Sequence, residues 1–330
     1  MNPLRIGVIG TGAMGAAHVK FLHEGVPGVV ITEVYDRDTA RATQIGAAVG
    51  AVAADSADAL VGSADVDAVV IASPDPTHAD LSIACVEAGK PVMCEKPLAP
   101  TAKDAYRVIE AEMRAGRKLV QLGFVRRFDP GFRALRAAVS DGSLGRPRVV
   151  HAVHRNARNA TSTDDATLVT GSMVHELDTV PWLLDDPLVA VRVESPVTEG
   201  FRDPQLATLW TLGGVLVTVE VFVNARYGYE VACEVVGTEA TASLAASSPV
   251  TVRRAGTRGR HVDSDGVAAF ADGYRLELAA WAVAATGGTI EGPTAWDGYV
   301  AAVAAEAGVA SLRGGTRESV DPGTRPELYA

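Results

Sequence analysis

Hydrophobic and polar residues follow two different patterns along the chain. The first pattern covers the N-terminal third. Short apolar runs alternate there with stretches whose apolar residues recur at helical spacing. The apolar runs predict buried strands at 4–10, 29–36, 67–73, 91–95 and 119–124. Helical patterns follow Gly15, with Gly25 as the predicted end, and recur at 77–88 and 101–115. This alternation predicts an α/β region with a doubly wound parallel sheet.

After Arg126 the pattern changes to longer runs of residues that favour β-strands. These lie at 148–156, 188–197, 205–225 and 229–237. Helices are predicted at 130–140, 173–184, 273–286 and 294–312. Strands separated by Gly-Gly or short polar turns predict an α+β domain with a large, mainly antiparallel sheet. We expect the polar segment 253–273 to be rich in loops and the last residues to form a solvated tail.

Length and charge narrow the class of protein. With 330 residues, of which 48% are hydrophobic, the chain is long enough for two domains. The change in the hydrophobic pattern predicts that these domains comprise residues 1–124 and 125–330. Lys and Arg number 30 against 40 Asp and Glu, a net charge of −10, which argues against nucleic-acid partners. No apolar run is long enough to span a membrane, and no secretion signal opens the chain. We therefore expect a cytoplasmic protein without a membrane partner.

Cysteine and histidine spacing argues against a metal site. The three cysteines, Cys85, Cys94 and Cys233, are too few and too scattered for a zinc site or a disulfide framework, so we expect reduced thiols. His151 and His154 lie three apart in a predicted strand and should point to opposite faces. No metal is predicted.

A glycine-rich turn carries the first chemical signal. Gly10, Gly12 and Gly15 form G-x-G-x-x-G between a predicted strand and helix. In that context Gly10 permits the tight turn, Gly12 lets a pyrophosphate approach the backbone, and Gly15 lets helix and strand pack closely. The turn, which also contains Ala13 and Met14, predicts a Rossmann dinucleotide site whose phosphates meet a helix N-terminus.

The end of the second predicted strand indicates which dinucleotide binds. Asp36 follows the last glycine of the motif at the spacing expected of a ribose-binding carboxylate. Its charge repels a 2′-phosphate, so NAD is favoured over NADP. Arg37 beside it could stack on adenine or tolerate the phosphate.

Polar residues at the later strand ends carry the second signal, because ligands of an open α/β sheet bind beyond the carboxyl ends of its strands. Ser73, Pro74 and His78 follow the third predicted strand, and Glu95 and Lys96 follow the fourth. We predict that these five residues help to bind the cofactor. Lys96 is also our candidate for sharing a substrate hydroxyl proton, since an oxidised nicotinamide disfavours its charged form.

Several motifs together resemble the Gfo/Idh/MocA oxidoreductases. They are the glycine turn, Glu95-Lys96-Pro97, and a distant His175 that opens a helical His-Glu-Leu-Asp. The segments 123–129, 154–156, 224–230, 233–237 and 296–299 resemble the myo-inositol 2-dehydrogenase branch of that family. The resemblance covers nearly the whole chain. It implies a Rossmann NAD-binding domain, a C-terminal domain that binds substrate and mediates oligomerisation as a homodimer or homotetramer, and hydride abstraction from a cyclitol or sugar carbon.

The resemblance also implies roles for single residues. Lys96 and His175 match the catalytic lysine and histidine of the family. Positions that line the polyol pocket are matched by Arg126, His154, Asn156, Asp178 and Tyr227. A histidine suits the role of base because its ordinary pKa is about 6.5.

Two departures from the family pattern surround His175. Gly171 stands where the family usually has an aspartate that orients the imidazole, and Ser172, Asp164, Asp165 or Asp178 could replace it. Pro181 falls where the helix after His175 should continue, and a proline inside a helix kinks it. The leading hypothesis is NAD-dependent oxidation of myo-inositol or a related cyclitol. The alternatives are a redox-neutral glycosidase or epimerase that retains NAD, and a weakly active or non-catalytic NAD-binding paralogue.

Overall fold

The computed structural model describes residues 2–158, 164–245, 250–287, 290 and 292–330. The chain divides into two compact units. The first comprises Met1–Val125, Asp272–Ala302 and Pro322–Ala330, and the second comprises Arg126–Ala271 and Val303–Asp321. We refer to them as the N-terminal and C-terminal units.

The N-terminal unit contains a six-stranded parallel sheet in the order β3-β2-β1-β4-β5-β6. Its strands are β1 (Leu4–Ile9), β2 (Val29–Tyr35), β3 (Val52–Ala53), β4 (Ala68–Ile71), β5 (Val92–Cys94) and β6 (Val120–Leu122). Between them run α1 (Ala13–Gly25), α2 (Thr39–Val49), α3 (Ala57–Gly62), α4 (His78–Glu87) and α5 (Ala102–Ala115). Every residue of β4 and β5 is buried, which explains why these strands read as continuous apolar runs. The predicted doubly wound parallel sheet is confirmed.

The end of the chain packs into the same unit. Leu122 donates a backbone hydrogen bond to the Pro293 carbonyl at 2.8 Å, so the segment before α11 (Ala295–Gly314) extends the sheet beside β6. Tyr329 is buried and bonds to the carboxylate of Glu112 in α5. The prediction of a solvated tail is therefore wrong for Tyr329. The sequence predicted a single domain boundary after residue 124, whereas each unit of the structure is built from separate segments of the chain. A helical pattern shows that one face of a helix is buried, but it does not show which sheet covers that face.

The C-terminal unit contains a seven-stranded mixed sheet in the order β12-β11-β7-β10-β9-β8-β15. Its strands are β7 (Pro147–Arg155), β8 (Leu188–Glu194), β9 (Gln205–Thr211), β10 (Leu216–Phe222), β11 (Glu230–Gly237), β12 (Thr241–Ser243) and β15 (Glu318–Ser319). Only the β7–β10 pairing of this sheet is parallel. Burial alternates along β9 and β10, so one face of the sheet is packed and the other is open. The predicted α+β domain with a mainly antiparallel sheet is confirmed.

Helices and one further hairpin complete the C-terminal unit. The helices are α6 (Pro130–Ser140), α7 (Asp165–Thr167), α8 (Val174–Leu184) and α9 (Gly266–Ala269), and α10 (Ala271–Gly287) leads back to the N-terminal unit. A wide π-helical segment, Leu168–Met173, joins α7 to α8, and α8 continues through Pro181. The segment predicted to be loop-rich starts inside a hairpin of β13 (Thr251–Arg254) and β14 (Thr257–Arg260). The sequence did not predict this hairpin, because its four-residue strands and two-residue turn are too short to produce a clear periodic pattern.

Candidate active site

The glycine turn has the geometry that a dinucleotide site needs. Gly10 has φ +90°, and a Cβ there would lie 2.5 Å from the backbone nitrogen of Ser73. A Cβ on Gly15 would lie 1.8 Å from the Gly10 carbonyl oxygen, so only glycine allows this contact between helix and strand. At Gly12, by contrast, no atom of the described residues lies within 4 Å of a built Cβ. The turn therefore leaves open space at the N-terminus of α1, the side from which a pyrophosphate would approach.

Asp36, the residue after β2, is a carboxylate held by hydrogen bonds on both of its oxygens. One carboxylate oxygen accepts from the backbone N–H of Thr11 at 2.7 Å and from its hydroxyl at 3.1 Å. The other accepts from the backbone N–H of Asp38 at 2.9 Å and from Arg41 at 2.7 Å. Burial would raise the pKa of Asp36, but these hydrogen bonds outweigh it and hold the pKa at about 2. The ribose contact itself stays a prediction.

The arginine that pairs with Asp36 is Arg41, which the sequence pattern did not predict, and not the adjacent Arg37. Arg37 is exposed, whereas Arg41 forms the ion pair with Asp36. The missed signal is Asp38, whose side chain caps α2 by accepting from the Arg41 backbone N–H. A helix start at Asp38 would have placed Arg41 in the first turn, close to the end of β2.

Buried side chains support the turn after β5. Glu95, buried at the end of β5, accepts from the backbone N–H of Lys96 at 3.2 Å and lies 2.7 Å from His18. Burial would raise the pKa of Glu95, but the His18 hydrogen bond and nearby positive charge lower it. Lys96 itself is half-buried. Glu95 thus supports the turn that carries Lys96.

His78 has a different place from the one predicted. Its ring is 1% exposed, and both nitrogens lie 2.7 Å from backbone carbonyl oxygens, one of Ser73 and one of Pro97. Because a carbonyl oxygen engages each ring nitrogen, neither nitrogen is left to contact a ligand. The predicted cofactor contact of His78 is therefore corrected, and the side chain supports the two turns instead. Beside it the hydroxyls of Ser73 and Thr77 lie 2.6 Å apart. Contacts of Ser73 and Pro74 with a cofactor stay predictions.

In the C-terminal unit a buried polar cluster surrounds His154. Arg126 forms a hydrogen-bonded ion pair with Glu176, the residue after His175. His154 lies 3.5 Å from the same carboxylate, and its ring meets those of His175 and Tyr229 edge-on with centroids 5.8 Å apart. Burial raises the pKa of Tyr229, and the charge of Arg126 opposes the rise. We call Arg126, His154, His175, Glu176 and Tyr229 the histidine cluster.

Three atoms of the histidine cluster are buried without a hydrogen-bond partner among the described residues. They are Nη2 of Arg126, Oε2 of Glu176 and Nδ1 of His154. Buried polar atoms are almost always satisfied, and unsatisfied ones that lie together are explained by an absent polar ligand or water. The cluster offers both donors and an acceptor, which matches the hydroxyl groups of a polyol.

The structure does not bring all the predicted pocket residues together. Tyr227 is 53% exposed, and its hydroxyl bonds to Glu230 and accepts from Arg155 at 3.2 Å. Because side chains alternate along β7, Arg155 lies on the face opposite His154. Tyr229, two residues further on, is the tyrosine in contact with His154. The member of the Tyr-Gly-Tyr pair that joins this cluster is therefore Tyr229 and not Tyr227.

Asp178 and Asn156 lie near the cluster in sequence but have contacts of their own. Asp178 is 2% exposed and holds Arg127 through two hydrogen bonds, one of 3.0 Å from Nε. Asn156 is half-buried, and its backbone bonds to Phe222 at 2.9 Å and to Ala225 at 2.9 Å. Their substrate contacts stay predictions.

Gly171 lies in the π-helical segment before α8. No atom of the described chain lies within 4 Å of a built Cβ at this position, so a larger side chain has room. All three acids suggested as replacements have other partners, because Asp164 caps α7, Asp165 pairs with Arg202 at 2.6 Å and Asp178 pairs with Arg127. Ser172, the remaining suggestion, lies within four residues of His175 in the same continuous helical run.

The histidines of β7 behave as their spacing predicts. His151 is exposed and bonds to the Thr218 hydroxyl at 2.8 Å, whereas His154 is buried on the opposite face.

Within the described residues no group of three or more His, Cys, Asp or Glu side chains could hold a metal ion. In that same part of the chain, no helix has the length and apolar character needed to cross a membrane.

The fold and the open glycine turn define an oxidoreductase-type dinucleotide-binding protein, and comparison with known proteins agrees. Residues 4–124 match the family described as "Oxidoreductase family, NAD-binding Rossmann fold", and residues 132–243 match the "GFO/IDH/MocA C-terminal domain". The chain belongs to the Gfo/Idh/MocA oxidoreductase family.

Its relatives are similar over their full length. The chain is 47% identical over 333 residues to inositol 2-dehydrogenase 1 of Saccharopolyspora erythraea, with 99% of each chain covered. It is 43% identical over 335 residues to inositol 2-dehydrogenase of Paracoccus denitrificans, again covering 99% of both. The structure of myo-inositol dehydrogenase from Lactobacillus casei in complex with NAD(H) and myo-inositol superposes with a TM-score of 0.95 at 32% identity, covering 99% of this chain and 100% of that one.

Proposed function

We propose that this protein oxidises a secondary alcohol of a cyclitol, myo-inositol or a close relative, to the ketone with NAD. The observation that carries the proposal is the histidine cluster with its three unsatisfied buried atoms beside His175. Relatives named inositol 2-dehydrogenase, similar over nearly the whole chain, favour this substrate class. They do not favour the redox-neutral or non-catalytic alternatives.

The reaction breaks one C–H and one O–H bond of the alcohol. NAD, when bound, accepts the hydride. The hydroxyl proton passes to a base of the protein, and we assign its transfer to Lys96 and His175 together. The half-buried state of both side chains suits groups that must exchange a proton with substrate and then with water. Placing such a base at the reacting hydroxyl contributes roughly 10² to 10⁴ in rate.

Substrate selection falls to the histidine cluster in this proposal. Among the described residues, Nη2 of Arg126 and Oε2 of Glu176 have no hydrogen-bond partner, and Nδ1 of His154 has no hydrogen bond beside its 3.5 Å approach to Glu176. Hydroxyl groups donate and accept, so a polyol could satisfy all three atoms. A site that hydrogen-bonds substrate hydroxyls rejects analogues that lack them. We add Tyr229 to this substrate-facing set in place of Tyr227.

The negative charge at the end of β2 favours binding of NAD over NADP. Asp36 is ionised because its pKa is held at about 2, and an anion there repels a 2′-phosphate. Arg41 neutralises part of that charge, so we propose a preference for NAD rather than a strict exclusion of NADP.

A cyclitol panel with NAD tests the proposal directly. The purified protein is incubated with NAD and myo-, scyllo-, amino- and deoxy-inositols while NADH absorbance is followed. Lys96→Met and His175→Asn should each lower kcat by about 10² to 10⁴, and the exposed Glu194→Gln should leave it unchanged. Absence of NADH with every polyol would refute the proposal, and product without net NADH would indicate the redox-neutral cycle.

We also propose a cytoplasmic homodimer or homotetramer that assembles through the open sheet face of the C-terminal unit. Leu206 on β9 is exposed, and Leu216 on β10 is exposed directly opposite Trp210. Exposed apolar side chains grouped on one face are typical of interfaces. Leu206→Glu should reduce the mass measured by light scattering, whereas Leu276→Glu, at an exposed position of α10, should not. The buried, unpaired cysteines suit a reducing compartment.

A further inference from the structure

His78 joins the two turns that follow β4 and β5. It is the first residue of α4, and its ring is buried between the carbonyl of Ser73 and the carbonyl of Pro97. Pro97 directly follows Lys96. A side chain on one helix therefore connects the backbone of the turn that carries Ser73 with that of the turn that carries Lys96.

The two contacts determine the protonation state of the ring. A neutral imidazole has one N–H and one bare nitrogen, and the bare nitrogen cannot donate. A carbonyl oxygen only accepts, so at 2.7 Å a bare nitrogen and a carbonyl oxygen would face each other with lone pairs. Both contacts are hydrogen bonds only if both nitrogens carry protons. His18 differs, because one of its nitrogens lies against Glu95 and the other has no partner among the described residues.

We infer that His78 is a permanently protonated imidazolium that acts as a positioning residue for Lys96 by holding the Ser73 and Pro97 carbonyls together. This role rests on the proposed function only where it concerns Lys96. The protonation state and the link between the turns stand without it.

The charges around the ring are compatible with a buried cation. Glu95 lies one residue before Lys96, and the charge of His78 helps to lower its pKa. Cys94 ends β5, and its thiol donates to the Glu95 carbonyl at 3.3 Å. Burial would lower the pKa of His78, but contact with Cys94 and the hydrogen bonds to the two carbonyls raise it. The groups that face the ring are Cys94 at the end of β5, Glu95 and the Pro97 carbonyl in the turn after it, and the Ser73 carbonyl in the turn after β4.

Nitrogen NMR of the full-length protein with labelled histidine tests the protonation state without any substrate. His78 should show two protonated nitrogens and no titration between about pH 6 and 9, because its pKa lies above that range. Its resonance is assigned by its loss in His78→Gln. If that variant does not fold, the assignment is made by elimination with Gln variants of the other histidines. A bare nitrogen at His78, or a midpoint below about pH 9, would overturn the inference.

Hydrogen exchange and kinetics test the positioning role. Glutamine has both its donors on one amide nitrogen, whereas the ring reaches the two carbonyls from two separate nitrogens. Amide exchange at 73–77 and 95–97 should therefore become about tenfold faster or more in His78→Gln. The kcat for the cyclitol should fall about 10- to 100-fold, since misplacement by about 1 Å can have an effect of this size. The matched control His151→Gln, at an exposed histidine of β7, should change neither.

The outcomes separate this inference from the proposed function. Unchanged exchange in both turns of His78→Gln would refute the positioning role whatever the substrate. If exchange and NMR behave as expected but no polyol is oxidised by the wild-type protein, the proposed function fails while the link between the turns stands. Wild-type kcat in His78→Gln would refute the effect on Lys96.

Discussion

Glu176→Ala should be the most destabilising single change to the histidine cluster. The Glu176 and Arg126 side chains are 2% and 3% exposed, and they form a hydrogen-bonded ion pair. Burial would raise the pKa of Glu176, but the charge of Arg126 and of His154 lowers it to about 2. Removing the carboxylate leaves the guanidinium buried and uncompensated among the rings of Phe132 and Phe270.

The size of the effect follows from the burial of the pair. Removing one partner of a buried ion pair lowers the free energy of unfolding by about 3–5 kcal/mol. For a unit of this size each kcal/mol shifts the unfolding midpoint by about 2–4 °C, so a fall of about 6–20 °C is expected. A matched control is Glu194→Ala, because the Arg192–Glu194 pair is 45% and 60% exposed and should contribute no more than about 1 kcal/mol.

Two further measurements isolate the charge. The double variant Arg126→Met with Glu176→Leu should recover most of the lost stability, since apolar residues can replace a buried pair at little cost. The contribution of Glu176 should also depend on pH. Its pKa is depressed from 4.5 to about 2, so the added stability is fully present above pH 4.5 and is lost as the pH falls through 2. Thermal unfolding of Glu176→Ala that matches Glu194→Ala at neutral pH would refute the reasoning.

Three other predictions concern separate parts of the chain. Asp36→Ser should lower kcat/KM for NAD about 10- to 100-fold and raise the NADP to NAD ratio, measured by steady-state kinetics, because a charged acceptor of ribose hydroxyls is lost; an unchanged ratio would contradict it. Gly171→Asp should raise kcat where the neutral control Gly171→Asn does not, since the site has room for the orienting carboxylate of the family; a lower kcat in both would contradict it. Tyr329→Phe should lower the free energy of unfolding by about 1–3 kcal/mol in urea titration, because buried Glu112 loses a donor, and an unchanged midpoint would contradict that.

Features encoded by neighbouring residues could be predicted from the sequence. The glycine turn could be identified because Gly10 and Gly15 are required by contacts within one strand–turn–helix unit. The strands of the parallel sheet could be identified because burial on both faces makes them continuous apolar runs. Asp36 could be placed because its distance from the turn is fixed by the length of one helix and one strand.

Features that depend on pairing between distant segments could not be predicted. Tyr227 and Tyr229 differ by two residues, and local sequence does not show which of them contacts His154, a residue of the distant strand β7. His78 looked like a ligand contact because it follows a strand end. Its partner Pro97 is 19 residues away and contributes only a backbone carbonyl, which leaves no sequence signal.

The acidic residues around His175 show why charge cannot be counted from sequence alone. The segment His175-Glu176-Leu177-Asp178 suggests a pocket rich in free carboxylates. In the structure Glu176 pairs with Arg126, Asp178 pairs with Arg127, and Asp165 pairs with Arg202. Each negative charge has its own arginine, and a carboxylate neutralised in this way orients or charges a nearby imidazole less than a free one does. The aspartate that the family places at position 171 would be an additional carboxylate, so its replacement by glycine removes charge that these paired acids do not restore.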